Sequence, residues 1–369
     1  MTIYNKDYYK GLDGLRAIAV TIVMLFHFMN YGVLKLGWIG VDLFFVLSGF
    51  LITNILIKNL NYDNFFKNFY LRRAIRIFPI YFLVVIPFLM IDLFFFNNNF
   101  SIQHLSYIFY FQNFTALLYG YIPSLGHTWS LAIEEQFYLF FPLLLYFFRK
   151  RTLEVIIFLA VFAVFIRQFG LYINYHIYFQ STLFFTRMDS LLIGACLPLV
   201  VDRFKNISVS KMNRYLLYFL FITLALLILS ISKYNLLNFY RLDFYSLLED
   251  YGNNNLYKPY GSFKYLYLSI FFASIIGLLS YNTNPIASKI VHILELKLFK
   301  QIGKISYGIY IYHWCVHILL DGIIVRKIIV VENSLIILLI KIIITLSLAI
   351  ISWYVIEKPL LKLKSRFTN

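Results

Sequence analysis

The chain has 369 residues, of which 61% are apolar and 20% aromatic, and its mean hydropathy is +0.75. These values exclude a soluble globular domain and indicate a polytopic membrane protein. A formal net charge of +16 would suggest nucleic-acid binding in a soluble protein, but the cytoplasmic loops of membrane proteins accumulate lysine and arginine. We therefore expect no nucleic-acid partner. Cys196 and Cys315 lie in apolar runs and predict neither a disulfide framework nor a metal site.

Apolar runs of about 20 residues recur along the chain, each long enough to cross a hydrocarbon core as a helix. We predict an all-α polytopic fold with ten spans, approximately 12–31, 39–58, 77–96, 131–148, 154–171, 183–201, 214–232, 265–281, 301–323 and 333–356. The stretch 102–119 is apolar but contains Gln103, His104, Gln112 and Asn113, which predicts an interfacial or re-entrant segment.

No repeat or change in composition divides the chain, so we expect residues 1–369 to form one membrane domain without a fused extracytoplasmic domain. Residues 1–10 are polar and the first apolar run is full length, which predicts an uncleaved signal anchor. Lysine and arginine are far more frequent in segments on the side of the N-terminus than on the opposite side. Both termini are therefore predicted to be cytoplasmic.

Two ionisable residues in the first predicted span, Arg16 and His27, would be costly in lipid. Their separation of 11 positions is within about 20° of three full helical turns, so both project from one face, roughly 16 Å apart along the axis. We place Arg16 near one membrane surface and His27 near mid-depth. His27 is then either a general base or acyl acceptor, or a histidine that packs within the bundle.

An arginine cluster, Arg72, Arg73 and Arg76, lies at the inner end of the third predicted span, and Arg73 shares a helix face with Arg76. The positive-inside bias alone can explain three arginines at this position. The functional alternative is a phosphate site, because guanidinium binds phosphate oxygens bidentately and stays charged.

Two acidic residues, Glu134 and Glu135, lie at the outer end of the fourth predicted span, shortly after Trp129. Adjacent helical side chains point about 100° apart, so we expect at most one carboxylate to face a site, and the sequence does not say which. A carboxylate there can orient His27, as in other arrangements of nucleophile, base and orienting group.

Other polar residues within predicted spans are candidates for substrate binding or for structural roles. Asp42 and Ser48 lie in the second span, and His313 lies within the ninth. Arg187 and Asp189 are two positions apart and so do not share a face, which predicts that each pairs with a residue of another helix.

Together these stretches resemble the integral-membrane acyltransferase family 3, the bacterial O-acyltransferases that modify surface polysaccharides. The similarity rests on seven motifs in order: Arg16-x10-His27, Gly-Val-Asp-Leu-Phe-Phe-Val-Leu-Ser-Gly-Phe (40–50), Arg73-x2-Arg76-Ile-x-Pro79, Thr-Trp-Ser-Leu-x2-Glu134-x2-Phe-Tyr (128–138), Arg187-x-Asp189-x-Leu-x2-Gly194, Ser306-Tyr-x-Ile-Tyr-x2-His313 and Glu357-Lys-Pro359. Each motif is loose by itself, but all seven occur in order from about residue 8 to 360.

The resemblance implies an acyl-CoA donor, acetyl-CoA first of all, on the cytoplasmic side and no metal. The acceptor would be a hydroxyl of a cell-surface or lipid-linked glycan (O-antigen, capsule, exopolysaccharide or peptidoglycan) outside the cytoplasmic membrane of a bacterium. Arg16 and the arginine cluster would hold donor phosphates. His27 would deprotonate the acceptor or carry the acyl group, and Glu134 would orient His27 or activate the hydroxyl.

Some members of that family carry a fused extracytoplasmic hydrolase-like domain, so we expect this chain either to finish the transfer itself or to use a partner enzyme. Two other functions compete. A transporter or flippase for lipid-linked glycan would also carry buried charges, but the sequence has no inverted repeat. A polysaccharide polymerase would be expected to place more arginine in outer loops, whereas 233–264 holds only Arg241.

Overall fold

The structure is a computed structural model that describes residues 8–29, 32–95, 99–173, 177–204, 207–235, 258–281, 285–325 and 334–363. Within these ranges the chain is helical and contains no β-strand. Arg241 and most of the predicted outer stretch 233–264 lie outside the described residues.

The helices up to residue 203 are α1 (Leu12–Met29), α2 (Ile39–Asn59), α3 (Phe65–Phe95), α4 (Ile102–Ile108), α5 (Gln112–Tyr119), α6 (Trp129–Phe147), α7 (Thr152–Tyr172), α8 (Ile177–Thr182) and α9 (Phe184–Arg203). They are followed by α10 (Val209–Asn235), α11 (Lys258–Ser280), α12 (Pro285–Leu294), α13 (Lys297–Lys304), α14 (Ser306–Val325), α15 (Ser334–Ser352) and α16 (Lys358–Leu363). The chain also forms 3₁₀ helices at Gly32–Trp38 and Pro123–Thr128 and a π-helical turn at Trp353–Glu357.

In the described part of the chain, 8 helices are long and apolar enough to cross a membrane, and they match eight of the ten predicted spans. The remaining predicted spans, 131–148 and 301–323, coincide with α6 (19 residues) and α14 (20 residues). Both helices carry buried polar side chains, such as Gln136 and His313. The predicted all-α polytopic membrane fold is confirmed.

The start of α3 differs from the prediction of a span at 77–96. The helix begins at Phe65 and is 31 residues long, so the arginine cluster lies about two to three turns inside it. Arginine lowers the apolar signal of a window although it is a good helix former, so the sequence located the apolar part of the helix and not its start.

The stretch 102–119 forms α4 and α5, of 7 and 8 residues, which are too short to cross a membrane. It is therefore not a span, as predicted. Gln112 and Asn113 are buried against the rest of the protein, where Gln112 donates to the carbonyl oxygen of Thr128 (3.0 Å) and Asn113 donates to Gln136 (3.2 Å). These bonds fasten the segment to the start of α6.

Close backbone packing joins α2 to α9 at two glycines. A Cβ added at Gly49 would overlap the carbonyl oxygen of Leu191, and one added at Gly194 would overlap that of Val46. Small residues permit such an approach between membrane helices, where dispersion contacts replace the hydrophobic effect as the attraction. The contact fixes the position of α2, which carries Ser48.

Two buried ion pairs tie α9 to its neighbours. Arg187 of α9 lies 2.7 Å from Asp42 of α2, and Asp189 of α9 lies 2.7 Å from Arg167 of α7. All four side chains are buried. The prediction that Arg187 and Asp189 each pair with a residue of another helix is confirmed.

The start of α1 is held by Glu295, which lies between α12 and α13. Its carboxylate accepts hydrogen bonds from the backbone N–H of Gly11 (2.7 Å), the ammonium of Lys300 (3.0 Å) and the hydroxyl of Tyr8 (3.2 Å). Gly11 has φ of 85°, a left-handed conformation that favours glycine, so the chain turns here into α1. Because Arg16 follows one turn later, this contact helps to fix its position.

Replacing Gly49 by alanine should destabilise the protein by about 1–3 kcal/mol, because the new methyl group forces α2 and α9 apart. Thermal unfolding in detergent micelles measures the effect as a lower Tm for Gly49→Ala. Gly322→Ala is the matched control, since a Cβ at Gly322 of α14 meets no atom within 4 Å. Its Tm should be unchanged or slightly higher. Equal Tm values for both variants would contradict the packing argument.

Stability should depend on pH through Glu295. Partial burial raises the pKa of Glu295, but the Gly11 amide and the Lys300 ammonium outweigh this effect and hold the pKa below its ordinary value. A carboxyl group with a depressed pKa stabilises the fold above its unfolded pKa of about 4.3, and this stabilisation disappears as pH falls through the folded pKa. The Tm of the wild type should therefore exceed that of Glu295→Gln at pH 7, and the difference should shrink towards pH 4. A difference that is constant with pH would refute this role.

Candidate active site

A cavity lies among α1, α2, α3, α6 and α14, and its empty volume including the open mouth is about 740 Å³. The charged side chains that line it are Arg16, Arg73, Arg76, Glu134 and Glu135. The structure thus brings charged residues from three separate predicted motifs to one site.

The arginines of this cavity come from two helices. Arg16 of α1 lies 3.8 Å from Asp13, one turn before it. Arg73 of α3 lies over the rings of Tyr138 (5.4 Å) and Phe69 (5.8 Å), and Arg76 follows Arg73 on the same face. Neither Arg73 nor Arg76 forms an ion pair with a carboxylate of the described residues. They therefore offer half-buried positive charge to an anion from outside the protein.

Arg72 is not among the residues that line the cavity, although it belongs to the predicted cluster. On a helix its side chain projects about 100° away from that of Arg73. Of the predicted arginine cluster, Arg73 and Arg76 line the cavity and Arg72 does not, and phosphate binding by the cluster stays a prediction.

Both acidic residues of α6, Glu134 and Glu135, line the cavity. The prediction that at most one of them faces the site was wrong, because the cavity extends around more than one face of α6. A carboxylate oxygen of Glu135 is buried and has no hydrogen-bond partner among the described residues. Glu134, in contrast, has a hydrogen-bond partner in Ser48.

Glu134 accepts a hydrogen bond of 2.5 Å from the hydroxyl of Ser48, which in turn accepts one of 3.2 Å from the phenol of Tyr138. The chain Tyr138–Ser48–Glu134 joins α2 to α6 beside Arg73. The predicted contact between Glu134 and His27 is absent from the described part of the structure. Glu134 lies instead in the cavity with the arginines, where it cannot orient His27 directly.

His27 lies in the last turn of α1, which starts four residues before Arg16 and ends two residues after His27. The depth of His27 in the membrane stays a prediction. Its Nδ1 atom lies 2.8 Å from Nε2 of His313 on α14. The ring of Trp314 meets the ring of His27 edge-on, with centroids 4.7 Å apart. His27 is not among the residues that line the arginine cavity.

Tyr310 connects the arginine cavity to the histidine pair. Its side chain lines the cavity, and its hydroxyl lies 2.5 Å from that of Ser130. Its backbone carbonyl oxygen lies 2.6 Å from Nδ1 of His313. On α1 the cavity residue Arg16 comes before His27. On α14 the cavity residue Tyr310 likewise comes before His313. Both helices therefore run from the cavity to the histidine pair.

The remaining predicted polar residues are placed apart from this cavity. Asp42, Arg187 and Asp189 belong to the ion pairs of α2, α7 and α9, and Trp129 packs edge-on against Phe45 with centroids 6.1 Å apart. In the described ranges no group of three histidine, cysteine, aspartate or glutamate side chains could hold a metal ion.

Tyr138 and Tyr310 also line the cavity, and both stand in the quoted motifs without being among the predicted site residues. Tyr138 follows Glu134 by four residues, and Tyr310 precedes His313 by three. Residues at these spacings share a helix face, which is the signal that would have added them to the candidates.

A comparison with curated proteins finds relatives named as O-acetyltransferases. The chain is 30% identical to the O-acetyltransferase OatA of Staphylococcus aureus (strain NCTC 8325 / PS 47) over 387 residues, which cover 98% of this chain and 58% of the relative. It is 31% identical to the putative peptidoglycan O-acetyltransferase YrhL of Bacillus subtilis (strain 168) over 389 residues, covering 97% and 56%.

A third relative, the peptidoglycan O-acetyltransferase OatA of Listeria monocytogenes, is 38% identical over 162 residues, which cover 40% of this chain and 26% of the relative. The chain thus spans less than three fifths of the length of these relatives. No solved structure matches it.

The family model described as an acyltransferase domain matches residues 9–354, a range that contains the arginine cavity and the histidine pair. The chain therefore belongs to the integral-membrane acyltransferase family 3.

Proposed function

We propose that the protein transfers an acetyl group from acetyl-CoA to a hydroxyl of a cell-surface glycan. The observation that carries this proposal is the convergence of Arg16, Arg73 and Arg76 on one cavity whose helices α1 and α14 also hold the His27–His313 pair. The printed names of the relatives favour peptidoglycan among the possible acceptors.

The arginine cavity suits the phosphates of the donor. Three guanidinium groups, those of Arg16, Arg73 and Arg76, line it, and guanidinium binds phosphate oxygens bidentately. Arg73 and Arg76 have no carboxylate partner among the described residues and would bind phosphate oxygens without first breaking an ion pair. Lysine and arginine are in excess on the side of the membrane where the N-terminus lies, which is typical of the cytoplasmic side. In our proposal the cavity opens on that side.

The reacting end of the donor would reach His27 past Tyr310. Arg16 and His27 are roughly 16 Å apart along α1, a separation that the extended pantetheine arm of the donor can bridge. The acceptor hydroxyl attacks the thioester carbon, its oxygen forms the new ester bond as the carbon–sulfur bond breaks, and its proton passes to the imidazole of His27. The CoA thiolate then takes that proton from the imidazolium of His27, so that CoA leaves as a neutral thiol and His27 returns to its neutral form.

These assignments place the protein in the cytoplasmic membrane of a bacterium, with both termini inside and the acceptor outside.

Replacing His27 by glutamine should lower acetyl transfer by about 10²–10⁴-fold, the usual contribution of a positioned general base. NMR of surface glycan from a deletion strain, complemented with wild-type or variant protein, measures the base-labile acetyl signal. The signal should be absent without the gene and absent or greatly reduced with His27→Gln. Normal acetylation by His27→Gln at equal protein levels would exclude His27 as the base.

Replacing Arg73 or Arg76 by glutamine should weaken acetyl-CoA binding by about 10–100-fold, because each loses a charge-assisted hydrogen bond to phosphate worth about 1.5–3 kcal/mol. Calorimetric titration of the purified protein with CoA measures the change. Lys67→Gln is the matched control, since it removes a positive charge from an exposed position on the same helix. If all three variants bind CoA like the wild type, the arginines are topology signals and not a donor site.

A further inference from the structure

The hydrogen bond between His27 and His313 has a direction that the neighbouring contacts determine. Nδ1 of His313 lies 2.6 Å from the carbonyl oxygen of Tyr310, and a carbonyl oxygen only accepts hydrogen bonds. His313 must therefore carry a proton on Nδ1. In a neutral imidazole the other nitrogen is then an acceptor, so Nε2 of His313 offers a lone pair to His27.

The consequence for His27 follows directly. Its Nδ1 lies 2.8 Å from that acceptor and must supply the hydrogen of the bond. A neutral His27 with its proton on Nδ1 has an unprotonated Nε2, the state that a base or nucleophile needs.

Both rings are suited to the neutral state. His313 is fully buried, and neither ring hydrogen-bonds to a carboxylate within the ranges described. An imidazolium buried without a counter-ion is costly. The third ring at this place, His127, lies 5.5 Å from His313 between centroids and is engaged through its own Nε2 with the carbonyl oxygen of Ile311 (3.2 Å).

We infer that His313 is a positioning residue that fixes the tautomer of His27, and that a backbone carbonyl, through His313, performs the orienting role that an aspartate performs in hydrolase triads. The inference deepens the proposed function, in which His27 accepts the proton of the acceptor hydroxyl. It requires only that Nε2 of His27 receives this proton while Nδ1 keeps its own.

The tautomer itself can be measured without any activity assay. The purified chain, labelled with ¹⁵N in the histidine rings and held in detergent micelles at neutral pH, gives ring nitrogen shifts by NMR. The His27 signals are identified by their loss in His27→Gln. We expect protonation of Nδ1 and not of Nε2. His313→Leu should shift the proton to Nε2, the form that free imidazole side chains prefer in water.

Steady-state acetyl transfer by the same proteins in lipid vesicles gives the second readout. His313→Leu should lower kcat by about 100-fold or more while the KM for acetyl-CoA changes less than about twofold, since the donor phosphates bind elsewhere. His313→Gln should keep much of the activity and the Nδ1–H tautomer, because an amide oxygen can accept the bond from His27. A purely structural role would give equal losses for both variants and a lower yield of folded protein.

His104→Gln is the matched control, since His104 is also buried but pairs with Asp92 (3.1 Å), and it should leave both readouts unchanged. A wild-type His27 with its proton on Nε2 or on both nitrogens would overturn the inference whatever the activity. So would an unchanged kcat in His313→Leu. A wild-type protein that transfers nothing from acetyl-CoA would instead refute the proposed function, and the NMR result would still decide the tautomer.

Discussion

An arginine inside an apolar helical bundle is stable only beside an anion or a set of hydrogen-bond acceptors, and this requirement separates the arginines of the protein into two groups. Arg167 and Arg187 are fully buried, and each has a carboxylate 2.7 Å away on another helix. Arg73 and Arg76 are only half-buried and have no carboxylate partner in the described part of the chain. The first group holds α2, α7 and α9 together, whereas the second group leaves positive charge available to a ligand.

The carboxylates of the cavity do not cancel that charge. Glu134 is engaged by the hydroxyl of Ser48 at 2.5 Å, with Tyr138 behind it, which keeps the carboxylate at the α2–α6 contact. A direct ion pair between Glu134 and Arg73 would have to be broken before phosphate could bind, and breaking a half-buried pair is costly. The hydroxyl chain therefore allows the carboxylate of Glu134 to lie in the same cavity as Arg73 without a direct ion pair between them.

Much of the architecture could be predicted because a membrane helix is recognised from one continuous apolar stretch of the sequence. Apolar length identified the spans, and the separation of two positions between Arg187 and Asp189, which puts them on different helix faces, was enough to predict partners on other helices. The errors were of another kind. The start of α3 was missed since its arginines hide a continuing helix, and Glu134 was assigned to His27 because a count of residues gives depth in the membrane but not lateral position. Which helices are neighbours depends on contacts such as that of Gly49 with α9, and a single sequence does not contain this information.

The motif of His313 did not show its contact with His27, because a single sequence does not show which helices are neighbours. The apolar surroundings explain why a second histidine suits this position. A carboxylate beside His27 would orient the ring, but it would have to be ionised in an apolar bundle, where an unpaired charge is costly. A histidine anchored on the carbonyl oxygen of Tyr310 supplies the same acceptor without any net charge. A neutral His313 stabilises the imidazolium of His27, which forms during proton transfer in the proposed reaction, less than a carboxylate would. That imidazolium is therefore expected to be short-lived, which favours a reaction in which it passes its proton at once to the departing thiolate.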